Sequence, residues 1–101
     1  MGLKAAEPID ITAEELPTYL RMHHSVYMDV NGKSYYLTDV NDHYWRAQDT
    51  EKLNEKGHYC DVSEPLPTID EFLSDPAIDG KSVMDLVEEA AFYPSVKPEV
   101  V

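Results

Sequence analysis

Asn31-Gly32 stands between two runs of strand-forming residues, Ser25–Val30 and Lys33–Val40. A type I′ turn needs positive φ at both central residues, which Asn and Gly tolerate, so the dipeptide predicts a two-residue β-hairpin. So short a loop leaves the flanking strands one way to pair. Val30 is expected opposite Lys33, Met28 opposite Tyr35 and Val26 opposite Leu37. These side chains share a face, because strand side chains alternate. The other face pairs Tyr27 with Tyr36, flanked by Asp29 with Ser34 and Ser25 with Thr38. The first face is the more aliphatic and is predicted to meet the core. The second is predicted to face solvent or a partner.

Further elements extend the hairpin in both directions. Thr12-Ala13-Glu14-Glu15 has the capping-box pattern and predicts a short helix over 12–21, with Leu16 and Leu20 on one face and Pro17 inside it. After a turn at 39–42, residues 43–48 read as a third strand, with Trp45 and Ala47 on one side and Tyr44 and Arg46 on the other. Residues 49–57 hold Leu53 alone as an apolar residue and read as a loop or a single helical turn ended by Gly57. Residues 58–62 read as a fourth strand, with Cys60 and Val62 pointing the same way.

Pro65 and Pro67 mark a linker. Thr68-Ile69-Asp70-Glu71 repeats the capping box and starts a helix through about Leu73, broken by Asp75-Pro76 and Asp79-Gly80. Ser82 starts a last helix predicted to run to about Phe92, with Val83, Val87 and Ala90 as its apolar stripe and Pro94 as its stop. Residues 1–8 read as a loose arm and 95–101 as a mobile tail. The expected fold is α+β: a small antiparallel sheet of three or four strands with short helices packed on one face.

The chain has 101 residues. Folding buries about 65% of the surface of a chain this long, enough for one core, so residues 1–101 are read as a single domain. One cysteine excludes an internal disulfide. The 20 acidic residues against 8 basic ones give a net charge of −12. Ten of those acids and two of the bases lie in 61–101, which alone carries −8. Phosphate backbones and anionic lipid surfaces are recognised by clustered Lys and Arg, so this balance argues against nucleic acid and membranes and favours basic partners.

No apolar run reaches the ~18–20 residues that span a bilayer. The first residues lack a signal-peptide pattern, and Ala6 breaks the myristoylation pattern begun by Met1-Gly2. The expectation is a cytoplasmic protein.

Motifs of chemistry are incomplete. Gly80-Lys81-Ser82 resembles the end of a phosphate loop, but Asp75 occupies the position that needs glycine. Asp39, Asn41 and Asp42 resemble the start of a calcium loop, yet Tyr44 and Thr50 stand where it needs Gly and Glu. His23, His24, His43, His58 and Cys60 are metal-ligand types without zinc spacing, and no cofactor or metal is expected. A small enzyme using His43, His58 and Cys60 requires a histidine within hydrogen-bond reach of the thiol, which pairing of their strands would have to supply.

The aromatic residues are more informative. Tyr27, Tyr35, Tyr36, Tyr44, Trp45 and Tyr59 all fall in the sheet region. Tyr and Trp suit protein interfaces, whereas base stacking would need more bases beside the rings than Lys33, Arg46, Lys52 and Lys56 supply. The expected function is a non-catalytic acidic interaction module that binds a protein partner, a basic one included, or a second copy of itself. Tyr27, Tyr36 and Tyr44 are the expected contacts. The alternatives are an acidic inhibitor, of immunity or nucleic-acid-mimicking type, that blocks a basic cleft, and the small enzyme.

Overall fold

The computed structural model describes residues 3–5, 7–40, 43–78 and 80–96. In chain order the elements are β1 (Leu3–Lys4), α1 (Leu16–His23), β2 (Ser25–Val30), β3 (Lys33–Val40), β4 (Tyr44–Leu53) and β5 (Tyr59–Asp61). They are followed by α2 (Ile69–Ser74), α3 (Val83–Leu86), β6 (Ala91–Tyr93) and β7 (Ser95–Val96). Five strands form one antiparallel sheet in the order β5-β4-β3-β2-β6, and β1 pairs with β7 in a second, two-stranded ladder.

The hairpin has the expected register. Val30 pairs with Lys33, Met28 with Tyr35, Val26 with Leu37 and Tyr27 with Tyr36. Asn31 and Gly32 both carry positive φ, 51° and 80°, as the type I′ turn requires.

The Thr12-to-Glu15 box forms, with Thr12 Oγ1 accepting from the Glu15 amide at 3.3 Å and Glu15 Oε1 accepting from the Thr12 amide at 3.4 Å. It closes a turn ahead of the helix proper. α1 then begins at Leu16 with Pro17 in its first turn, where the missing N–H has no intrahelical partner to lose. The helix therefore starts later than the pattern over 12–21 predicts.

Two more differences from expectation concern the polar stretch and the last helix. Residues 49–53 continue β4 instead of forming a loop, and the ladder with β5 is irregular between Asp49 and Leu53. The third capping box is complete, with Ser82 Oγ accepting from the Asp85 amide and Asp85 Oδ2 accepting from the Ser82 amide, both at 3.1 Å. Yet α3 covers only Val83–Leu86, and Ala91–Tyr93 form β6 against β2. Phe92 gains more by lying opposite Met28, where it is 2% exposed, than by extending a helix. The sheet thus has one strand more than expected, within the α+β layout.

The arm and tail also differ from expectation where they are described. Leu3–Lys4 pair with Ser95–Val96, and Ile9 donates to the Phe92 carbonyl at 2.8 Å. Residues 97–101 lie outside the described residues, as do Asn41, Asp42 and Asp79 of the expected turns.

All three helices cover the aliphatic face. Leu16 and Leu20 of α1, Ile69, Phe72 and Leu73 of α2, and Val83 and Leu86 of α3 form one buried cluster with Val26, Met28, Val30, Tyr35, Leu37, Ala47 and Phe92. At about 25 cal/mol per Å² of apolar area, burial of this cluster is the main force holding the layers together. Tyr27 and Tyr36 lie outside it. Among the described residues, no helix is long and apolar enough to cross a membrane.

Candidate functional site

The sheet registers align one row of side chains across all five strands on the face opposite the helices. Asp61 of β5 stands opposite Gln48 of β4, Gln48 opposite Tyr36 of β3, Tyr36 opposite Tyr27 of β2, and Tyr27 opposite Tyr93 of β6. The rings of Tyr27 and Tyr36 lie 4.7 Å apart, tilted by 39°. Tyr59 reaches over this pair from β5. Its ring meets Tyr36 edge-on at 5.9 Å, and its hydroxyl lies 3.4 Å from that of Tyr27. Such tilted and edge-on contacts match the quadrupoles of the rings.

This packing changes the part played by the expected contacts. Tyr27 is 2% exposed and Tyr36 8%, although no helix side chain joins them in the core cluster. Burial, followed by the hydrogen bond and proximity of Tyr59 and the nearby Tyr36, pushes the Tyr27 phenol well above its ordinary range. Tyr27 is thereby closed to a partner, while Tyr36 keeps only a small part of its ring at the surface. They form the floor of this sheet face. Tyr44, by contrast, is exposed at the start of β4. It alternates onto the same face as Arg46 and Gln48, two and four residues further along.

Above the tyrosine floor runs a groove of ≈ 340 Å³ lined by Tyr36, Thr38, Asp39, Arg46, Gln48, His58 and Tyr59. Its polar groups are mostly tied to one another. Arg46 Nη1 donates to Asp61 Oδ2 at 3.3 Å, and Gln48 Nε2 donates to Asp61 Oδ1 at 2.9 Å. Asp39 Oδ2 lies 2.7 Å from His24 Nδ1. The result is a preformed polar and aromatic surface whose side chains are held in place by cross-strand bonds.

The catalytic alternative loses its central pair. Cys60 stands opposite Asp49 in the β4–β5 ladder. His43 precedes Asp49 by six residues. At ~3.3 Å per strand residue the two sites are about 20 Å apart, far beyond hydrogen-bond reach. His58 is not on the strand with Cys60 but in the turn before it, where its amide donates to Asn54 Oδ1 at 3.0 Å. Among the described residues, no three His, Cys, Asp or Glu side chains are grouped to hold a metal ion.

The aliphatic face also carries a charged pair, with Asp49 buried and Lys33 partly exposed. Asp49 is 1% exposed and accepts from Lys33 Nζ at 3.2 Å and from the Glu51 amide at 2.9 Å. Burial pushes the Asp49 carboxyl up, but the Glu51 amide and Lys33 together outweigh it and leave the carboxyl below the usual carboxylate range. Lys33 is raised, first by its hydrogen bond to Asp49. This pair anchors β3 to β4 and is structural.

Sequence reasoning put Tyr59 in the sheet but not in the site, and it did not place Gln48, Asp61 or Tyr93 there. Gln48 and Asp61 follow by alternation once strands β4 and β5 are in register. Tyr93 carried no local signal, because its segment reads as the end of a helix. Comparison with protein-family models, with curated proteins and with solved structures finds no match to this chain.

Proposed function

We propose that the chain is a non-catalytic acidic interaction module that meets a protein partner, or a second copy of itself, on the sheet face without helices. The observation that supports this reading is the layered build of that face. A buried tyrosine pair forms a rigid floor, and half-buried Tyr59 and Arg46 and exposed Tyr44 stand above it. Interface anchors of Tyr and Arg type are most effective when their rotamers are already restricted, since less entropy is lost on binding.

The test is the double variant Tyr44→Ser, Arg46→Glu, which alters the surface and spares the floor. Circular dichroism should report an intact fold. Self-association by sedimentation velocity, or retention of the partner captured by the wild-type chain, should weaken at least tenfold. A folded variant with undiminished association excludes this face.

A second reading, an acidic inhibitor that occupies a basic cleft, is favoured by one specific observation. Asp61, Glu64, Asp70, Glu71, Asp85, Glu88 and Glu89 are all exposed, with Lys81 the one exposed base between them. Salt separates the two readings. Binding steered by exposed carboxylates falls steeply with ionic strength, whereas binding through packed aromatic contacts changes little.

A further inference from the structure

A second surface shares no lining residue with the groove above the tyrosine row. Segment 9–11 runs beside α1 and leaves a groove of ≈ 580 Å³ between them. Ile9, Ile11 and Tyr19 are half-buried along it, and Met22 is 70% exposed at one end. Asp10, Glu14 and Glu15 line the same groove, and all three are exposed. No Lys, Arg or His is among its lining residues. The walls are fixed from behind: Ile9 is hydrogen-bonded to Phe92, and Leu16 and Leu20 are fully buried.

We propose that this groove docks a short basic amphipathic segment of a protein partner, its apolar side chains against Ile9, Ile11, Tyr19 and Met22 and its Lys or Arg side chains beside Asp10 and Glu14. The inference is independent of the sheet-face reading. Charge complementarity selects the occupant. A groove lined both by apolar side chains and by the carboxylates of Asp10, Glu14 and Glu15 matches a segment that carries apolar and cationic side chains, the groove mode of peptide recognition. A second copy that met this groove with its own is disfavoured, because two sets of Asp10, Glu14 and Glu15 would then face each other and repel.

The probe is a fluorescent 14-residue peptide of Leu and Lys at helical spacing, titrated with the full chain and read by anisotropy. Peptides with Glu for Lys, and with Ser for Leu, serve as references. Binding of the Leu/Lys peptide should weaken at least tenfold in Met22→Asp and at least tenfold in Asp10→Lys, Glu14→Lys. It should change less than threefold in Glu51→Lys, Glu55→Lys, which alters the net charge equally on exposed residues outside the groove. The two reference peptides should bind at least tenfold more weakly. Since Met22 is so exposed, its variant keeps the test valid even if the charge-reversed variant does not fold.

The proposal is overturned if the peptide does not bind or if Met22→Asp binds as the wild type does. It is overturned equally if Glu51→Lys, Glu55→Lys weakens binding as much as the groove variant, which would mean diffuse attraction. Self-association of the wild-type chain that disappears in Met22→Asp would also overturn it, since the occupant would then be a second copy.

Discussion

Tyr27 and Tyr36 face each other across the β2–β3 ladder with ring centroids 4.7 Å apart, on the sheet face that no helix covers. A pair in that position would ordinarily be half wet. Here Tyr59 reaches over it from β5 and Tyr93 stands opposite Tyr27 in the β2–β6 ladder, and the pair is buried.

Truncating that pair should therefore unfold the chain. Loss of a large buried aromatic side chain costs about 3–5 kcal/mol. Two such losses approach the whole stability of a small domain, about 5–15 kcal/mol. Tyr27→Ser, Tyr36→Ser is expected to lose its cooperative urea transition at 25 °C. Tyr27→Phe keeps the ring and removes the hydroxyl that lies against that of Tyr59, so its midpoint should drop by the equivalent of about 1 kcal/mol. A double serine variant that remains as stable as the wild type would mean that the row is not packed as described.

Gly32→Val tests the turn alone. Gly32 has φ +80°, and a Cβ added there would meet nothing within 4 Å. The Cβ itself has room, so the loss comes first from backbone strain. A β-branched residue held at positive φ should cost on the order of 1–3 kcal/mol. Equilibrium denaturation of the variant against the wild type measures it.

Asp49 should give the chain an acid-sensitive component of stability. Its folded carboxyl is lowered below the ordinary value. The ionised form is therefore favoured by folding, and its contribution is fully present above the unfolded carboxylate value of about 3.9. It is lost as pH falls through the lower folded value. Asp49→Asn should be less stable near neutral pH, and the gap should narrow progressively from pH 5 to pH 2. Urea midpoints across that range should converge for the two proteins; parallel curves would assign the acid response to other carboxylates.

Ser82→Ala removes the acceptor that holds the first turn of α3. That helix is one turn long, so its cap carries much of its local order. The expected loss is about 1 kcal/mol. Asp85→Ala removes the reciprocal half of the same box, and the double change should cost less than the sum of the two. Thermal denaturation of the three variants reads this non-additivity directly.

Local chemistry settled the hairpin, the caps and the shared faces. Asn31-Gly32 prescribes its register because two residues and their φ angles leave the strands no alternative. Thr68 and Ser82 accept from amides three residues ahead, a contact written within four residues of sequence. Which residues share a face follows from alternation alone. The fate of Ala91–Tyr93 was not local. The apolar spacing of 83–92 suits a helix, and only the unpaired edge of β2, more than sixty residues earlier, turns its end into a strand. The same holds for the tyrosine row. Alternation places Tyr27 and Tyr36 together, but Tyr59, which meets both, and Tyr93, which pairs with Tyr27, arrive from opposite edges of the sheet. Pairings at such sequence separation leave no periodic trace, because the hydrogen bonds and apolar contacts that reward them exist only once the chain has closed on itself.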